Sequence, residues 1–452
     1  MEKLPSLKIG APSVRGIVGE SFTPQLAAEF AAAFGSYCGP SEVVVGTDTR
    51  TSRTMITHAV VSGLLSVGCT PVEAGIVPSP SLQYSIRSGG ASGGICITAS
   101  HNPVQWNALK FFNSGGISLS PNQFAELTGL YHQGAYARVS SSGISVRKKD
   151  DSVIEKHSRM IIDSLDAGKI RERNFKVAVD CCNGAASLAA PAFLEKLGCR
   201  VFSFNCSPDQ PFPRNPEPVI PNIREFCSFV RDSEAEIGFA LDADADRLAL
   251  VDSDGNPLGE DYTLALVADY FLENESSPIV VNVSTSQVIE DIAARFETEV
   301  FRTKVGETHV VERIFQKDAR IGGEGNGGVI IPDLNPCRDS FVGMGFILQS
   351  LVEKGSTIRD MKESLPAYEM IKSVVPCRPR DIVHFKSMLR HLYSDCRLDE
   401  TDGLKIFKGS GWVHLRGSQT EPVVRIIVEA ADRKEAEALL SEVLDYLRPL
   451  LR

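Results

Sequence analysis

Apolar positions along this chain fall into short β-branched runs that alternate with longer stretches of helical spacing. Glu42-Val43-Val44-Val45-Gly46-Thr47-Asp48 precedes a helical stretch over Met55–Leu65. Lys176-Val177-Ala178-Val179-Asp180 leads through Asn183-Gly184 into Ala185–Leu197, and Pro278-Ile279-Val280-Val281-Asn282 leads through Ser284-Thr285-Ser286 into Val288–Phe296. Each reads as strand, polar turn and helix, the pattern of a parallel sheet with crossover helices. The units begin roughly 100–135 residues apart, the spacing of tandem α/β domains. Polar residues and breakers mark the borders. Ser140–Asp151 reads as a linker, Asp252-Ser253-Asp254-Gly255-Asn256-Pro257 as a tight turn after a strand, and Pro366 precedes a run of different character. The remainder holds short strands and ends in an amphipathic helix over Arg433–Leu447, which predicts an α+β tail. The expected domains are therefore three of α/β type, 1–148, 149–251 and 252–365, and a C-terminal α+β domain, 366–452.

Composition narrows the function. With 43% hydrophobic and 23% charged residues, the 452-residue chain is a folding chain and not a disordered one. A net charge of -10 argues against a nucleic-acid partner, because that affinity rests on lysine and arginine neutralising phosphates. A small anionic substrate, held by a few local arginines, stays compatible. The first residues have no apolar core, and no apolar run reaches the ~18 residues of a membrane span. The expectation is a cytoplasmic protein without membrane contact. The 11 cysteines include no Cys-x-x-Cys pair, which predicts reduced thiols and no zinc.

Four runs carry chemistry. Leu241-Asp242-Ala243-Asp244-Ala245-Asp246-Arg247 puts three carboxylates between two apolar strands. Such crowding is costly unless a cation neutralises it, and all-oxygen ligands suit Mg²⁺ or Ca²⁺. A calcium EF-hand needs Gly and Glu at the positions occupied by Arg247 and Ser253, so that reading fails. A solvated acidic turn is the plain alternative. Ile97-Thr98-Ala99-Ser100-His101-Asn102-Pro103 ends a strand in small residues that let a ligand approach Ser100; a helix-capping serine is the plain alternative. No Gly-x-Ser-x-Gly elbow supports a hydrolase. Ile321-Gly322-Gly323-Glu324-Gly325-Asn326-Gly327-Gly328 exposes backbone N–H groups and offers one carboxylate to sugar hydroxyls, or is a flexible turn. Leu415-Arg416-Gly417-Ser418-Gln419-Thr420-Glu421-Pro422 has the makings of an anion nest, or is a surface turn.

Taken in chain order, the four runs resemble the phosphoserine, metal, sugar and phosphate loops of the α-D-phosphohexomutases. Val14-Arg15-Gly16, Gly46-Thr47-Asp48-Thr49-Arg50, Val77-Pro78-Ser79-Pro80 and Asn107-Ala108-Leu109-Lys110-Phe111-Phe112 are similar as well. The resemblance spans essentially the whole chain. It implies mixed-sheet domains around a central cleft and reversible phosphoryl transfer between C6 and C1 of a hexose phosphate. Ser100 would be a phosphoserine, holding Mg²⁺ together with Asp242, Asp244 and Asp246. A hexose 1,6-bisphosphate would be both intermediate and activator. Arg15 and Arg247 would stabilise the moving phosphoryl, Lys110 would act as acid and base with a lowered pKa, and His101 would support the loop or a proton. Glu324 and Asn326 would read the ring, Gly306 and Glu307 would lie where an acid meets a substrate ammonium, and Arg416, Gly417, Ser418, Thr420 and Arg425 would grip the resting phosphate.

Within the family, the run from Thr420 to Ala430 and Thr303-Lys304-Val305-Gly306-Glu307 most resemble phosphoglucosamine mutases. Two features depart from the common pattern: Asn326-Gly327-Gly328 replaces Ser-Gly-His, and Cys337-Arg338-Asp339-Ser340 replaces Gly-Arg-Asp-Gly or Gly-Arg-Asp-Ala. The implied activity is conversion of glucosamine 6-phosphate to glucosamine 1-phosphate by a monomer or homodimer. The alternatives are a phosphomannomutase or phosphoglucomutase, a Mg²⁺ phosphatase, and a non-catalytic sugar-phosphate-binding relative.

Overall fold

The structure, a computed structural model, describes residues 6–377, 379–417 and 423–447. Its first sheet holds β1 (Lys8–Gly10), β2 (Ser13–Ile17), β3 (Glu42–Thr47), β4 (Thr70–Ile76), β5 (Gly93–Ile97), β6 (Trp106–Asn113) and β7 (Lys148–Lys149), in the order β1-β2-β6-β5-β3-β4-β7. The second holds β8 (Lys176–Asp180), β9 (Arg200–Phe204), β10 (Ile237–Leu241) and β11 (Leu248–Asp252), ordered β11-β10-β8-β9. The third holds β12 (Ile279–Asn282), β13 (Val300–Thr303), β14 (Ile321–Glu324) and β15 (Gly328–Ile330), ordered β13-β12-β14-β15. The fourth is antiparallel: β16 (Glu369–Pro376), β17 (Arg397–Asp399), β18 (Leu404–Lys408), β19 (Gly411–Gly417) and β20 (Val423–Ala430), ordered β16-β20-β19-β18-β17. Helices Pro379–Leu392 and Arg433–Leu447 accompany it, as an α+β unit requires.

The three predicted strand–turn–helix units are present, with helices at Arg53–Leu65, Ala189–Lys196 and Val288–Arg295. The middle helix starts later than its spacing predicts, because the Gly184 and Ser187 amides close turns onto Cys181 and Gly184 first. The sheets are mixed. β3 runs parallel to β4 and β5, but β5 and β6 are antiparallel, as are β10 and β11, and β14 and β15. Each α/β domain thus contains an antiparallel pair of successive strands, and the loop within that pair carries its motif: Ser100 between β5 and β6, the three aspartates between β10 and β11, Asn326 between β14 and β15. The fourth sheet repeats this between β19 and β20, where Ser418 and Thr420 lie outside the described residues.

Two expected borders meet structure of their own. The border after 148 falls inside β7, where Lys148 and Lys149 pair with Val72 and Glu73 of β4. The one after 251 falls inside β11. One apolar core also runs through both middle sheets, from Ile161 to Leu365, joined by helix Ser340–Lys354, which is buried over most of its length. The fourth domain is seated differently, on polar contacts. Lys405 Nζ donates to the Val283 carbonyl (2.9 Å) and lies 3.7 Å from the Trp412 ring centroid. Trp412 Nε1 and Gln287 N both donate to Glu429 Oε1, at 2.6 and 2.9 Å.

Asp261, in the first turn of helix Glu260–Asn274, sits near this seam and accepts from the Ser286 amide (2.8 Å). Burial pushes its carboxyl up to about 7, against the opposing pull of Lys372 and the Ser286 N–H. A carboxyl that binds its proton more tightly in the folded state costs stability as pH rises from the ordinary carboxylate range towards that value. Asp261→Asn therefore stabilises the chain more at pH 8 than at pH 5, by an increment of about 2–3 kcal/mol. Thermal melts of both proteins at the two pH values check this; an equal difference at both would contradict it.

Candidate active site

Ser100 adopts φ 48, a left-handed backbone that a residue with a Cβ takes only under constraint. The constraint is the buried Asp48–Arg50 pair (3.0 Å), whose guanidinium also donates to the Ser100, Asn102, Pro103 and Trp106 carbonyls. Thr98 Oγ1 donates to Asp48 and accepts from the Ser100 amide. So held, Ser100 Oγ donates to Asp242 Oδ2 at 2.6 Å, across the first and second domains.

Asp242, Asp244 and Asp246 each present an oxygen within 4.8 Å of the other two, and all three are buried. Asp242 Oδ1 is occupied by the Asp246 and Arg247 amides, whereas Asp244 Oδ1 and Asp246 Oδ1 have no hydrogen-bond donor among the described residues. Burial and then the facing Asp246 and Asp244 carboxylates push Asp242 well above the usual carboxylate range. Hard oxygens, orphaned and mutually repelling, fit a divalent cation of the Mg²⁺ kind. Ala245, at φ 58, shares the strain of this loop.

The cations around the cluster are ordered by its charge. Lys110 Nζ donates to Asp244 Oδ2 (2.6 Å) and Asp246 Oδ2 (3.2 Å). Burial pulls its ammonium down, but the two carboxylates prevail and hold it above its usual pKa, opposite to the lowering expected for a base. Strand register pairs Ser13 with Lys110 and Arg15 with Ala108, which sets Arg15 and Lys110 on one face of the first sheet. Arg247 Nη1 donates to Glu217 (2.6 Å) and Nη2 to His101 Nδ1 (3.0 Å), which also lies 3.4 Å from Ser100 Oγ. Burial, reinforced by Arg247, holds His101 well below its usual range, so it is a neutral acceptor near pH 7.

Arg338, which carried no role in the sequence reading, is the centre of the sugar side. It donates to Asp246 Oδ2 (2.6 Å), Glu324 Oε2 (3.0 Å) and Glu307 Oε2 (3.3 Å). Ser79, likewise unassigned, donates its hydroxyl to Asp244 Oδ2 (2.7 Å). Neither was legible, because these partners lie 14 to 165 residues away along the chain. The acids expected to meet substrate are engaged by protein groups. Glu307 accepts from Ser118 (2.9 Å) and Arg338; Glu324 accepts from Gly306 N (2.8 Å), Asn282 (2.9 Å), Arg338 and Asn326 (3.5 Å). The glycine-rich run answers mainly to packing. A Cβ on Gly327 would lie 2.2 Å from the Leu248 carbonyl, whose own N–H donates to the Gly327 carbonyl.

Arg416 pairs with Asp402 (2.8 Å) and stands directly opposite Arg425 in the β19–β20 register, with Gly417 next along the strand. Burial, then Arg247 and Arg425, lowers the Arg15 pKa, so the fourth sheet's arginine lies within electrostatic reach of the Ser100 side. Arg15, Ser100, His101, Lys110, Arg247 and Arg338 line a single small cavity.

None of the 11 cysteines is in a disulfide, and among the described residues no helix is long and apolar enough to cross a membrane. The chain matches phosphoglucomutase/phosphomannomutase alpha/beta/alpha domains I, II and III over residues 6–138, 155–255 and 259–368, and the C-terminal domain of that family over 356–445. It is 36% identical to a protein of Methanopyrus kandleri named probable phosphoglucosamine mutase, covering 97% of each chain. It is 37% identical to a phosphoglucomutase/phosphomannomutase of Thermococcus kodakarensis, covering 98% of this chain and 99% of that one. A crystal structure of a family protein from Burkholderia thailandensis, 24% identical, superposes with a TM-score of 0.85 over 98% of this chain and 97% of its own. With all four domains matched in order around the aspartate cluster, the chain belongs to the phosphoglucomutase/phosphomannomutase family and is an enzyme of the phosphohexomutase type.

Proposed function

We propose that the chain interconverts glucosamine 6-phosphate and glucosamine 1-phosphate through a phosphorylated Ser100. The observation that carries this reading is the Ser100 Oγ–Asp242 hydrogen bond of 2.6 Å, which sets the hydroxyl of the strained loop against the aspartate cluster. Phosphoserine donates its phosphoryl to the open hydroxyl of the substrate, the Ser Oγ–P bond breaks, and a 1,6-bisphosphate forms. After the sugar reverses in the cleft, the other phosphate returns to Ser100. Asp242, Asp244 and Asp246 hold Mg²⁺, which when bound neutralises their charge and polarises the phosphoryl oxygens. Arg15 and Arg247 balance charge on the moving phosphoryl. Lys110 is the side chain in reach of the hydroxyl proton, and its use as base requires the two carboxylates that hold its own proton to be neutralised. Arg416 and Arg425 stand directly opposite in the β19–β20 register, which sets two guanidinium-bearing side chains on one face of the fourth sheet and supports a phosphate grip there.

A second reading, glucose or mannose phosphate, draws on one observation: Glu307, the acid expected to meet an ammonium, is taken up by Ser118 and Arg338. A panel of glucosamine, glucose and mannose phosphates, with activating bisphosphate supplied, separates the two. The highest kcat/KM is expected for glucosamine phosphate, and a higher value for either neutral sugar overturns the substrate assignment.

Ser100→Ala loses turnover by several orders of magnitude while its circular dichroism and melting temperature stay near wild type. Near-normal turnover would dismiss the covalent route. Chelation by EDTA removes activity, and Mg²⁺ restores it. At about 100 times its Kd the cation also raises stability by ~2.7 kcal/mol, read as a higher melting temperature in the absence of substrate. No thermal shift across a Mg²⁺ titration would count against the aspartate site.

A further inference from the structure

Away from the cleft, Ser81 Oγ lies 2.9 Å from His157 Nδ1, and His157 Nε2 lies 2.8 Å from Asp339 Oδ2. The order of groups is that of a nucleophilic triad, but all three residues have no solvent exposure, so Ser81 cannot meet a substrate. What the network touches at each end gives it a different meaning. Ser81 belongs to helix Ser79–Gly89, whose first residue gives its hydroxyl to Asp244 Oδ2 and its amide to the Asp244 carbonyl (2.9 Å). Asp339 caps helix Ser340–Lys354 by accepting from the Phe341 and Val342 amides, and it follows Arg338 directly. Asn335 braces the same junction, donating to Asp339 Oδ2 (2.9 Å) and to the Pro80 carbonyl (3.1 Å).

His157 itself comes from a third element, helix Val153–Asp163, and its ring packs 5.6 Å from Tyr84 and 5.7 Å from Phe341, centroid to centroid. Its two nitrogens therefore tie the helix that holds Asp244 to the turn that holds Arg338. Imidazole suits this task because it can donate at one nitrogen and accept at the other along fixed directions. With Nε2–H donating to the Asp339 carboxylate, Nδ1 is left to accept from the Ser81 hydroxyl. The span crosses the boundary between the first and third domains, where Arg338 and the aspartates must keep a common register.

We propose that His157 is a positioning residue for phosphoryl transfer: by joining Ser81 to Asp339, it sets Arg338 and Asp244 relative to one another. The inference rests on the assignment of the aspartate cluster as the reaction centre.

The test is steady-state kinetics of the full chain, expressed per folded molecule, for His157→Ala, His157→Gln, Ser81→Ala and the double variant Ser81→Ala/His157→Gln. Glutamine keeps a donor for Asp339 but gives up the bond to Ser81, as Ser81→Ala does from the other side. For His157→Ala, kcat falls about 10-fold or more and the hexose phosphate KM changes less than about twofold, as displacement of a group outside the substrate contacts requires. His157→Gln and Ser81→Ala each lose about two- to fourfold in kcat, and the double variant loses no more than either alone, because all three remove one bond. A lower melting temperature with unchanged kcat in these variants overturns the proposal, as does a purely additive double variant. If His157→Ala does not fold, the two milder variants and their combination decide by the same criteria. Wild-type turnover and the Ser100→Ala loss, measured alongside, test the reaction centre itself, so a failure there is distinguishable from a failure of the role of His157.

Discussion

Three carboxylates buried within 4.8 Å of one another are the constraint on which the rest of the molecule depends. Removing one charge from water already costs several kcal/mol, and three that face each other add repulsion to that cost. The surrounding residues are arranged as answers to it. Lys110 and Arg338 lie on Asp244 and Asp246, Arg247 lies beside Asp246, and the Ser100 hydroxyl closes on Asp242. The strained backbone at Ser100 and Ala245 survives because the Asp48–Arg50 clamp and the Ala185 N–Ala243 O bond over-determine the two loops. Two of the cluster's oxygens remain without donors, and that residue of unmet charge is where a cation belongs.

How the domains meet follows from what each must do. The second and third share one apolar core. The fourth is seated by Lys405, Glu429, His414 and Asp402 on polar groups of the third, with the Ser284–His414 (3.0 Å) and Val305–Asp402 (3.1 Å) bonds at its margin. Polar contacts exchange with water at little net cost, whereas separating an apolar core does not.

Side chains whose type suggested contact with a sugar are tied to one another through the protein. Glu324 and Glu307 are bridged by Arg338, and removing one member of such a buried network typically costs about 3–5 kcal/mol. The glycines that follow Glu324 admit close neighbours: Gly327 makes room for the Leu248 backbone, and Gly325 for the Asp261 carboxylate and the Thr285 backbone.

The strand–turn–helix units, the α+β tail and the aspartate cluster were legible in the letters, because β-branched runs and alternating aspartates act over a few neighbouring residues. The carboxylate triplet in particular declared its need for a counter-charge from spacing alone. What the chain order left undetermined was which cation answers which acid, and whether a strand joins a neighbour or ends a domain. Arg338, Ser79, the Asp48–Arg50 clamp and His157 take their meaning from partners up to 182 residues distant, and the pair Lys148–Lys149 became a strand only because the edge of β4 was open to it. Hydrogen bonds and ion pairs act over a few ångströms of space, not along the sequence, so these assignments existed only once the chain had folded.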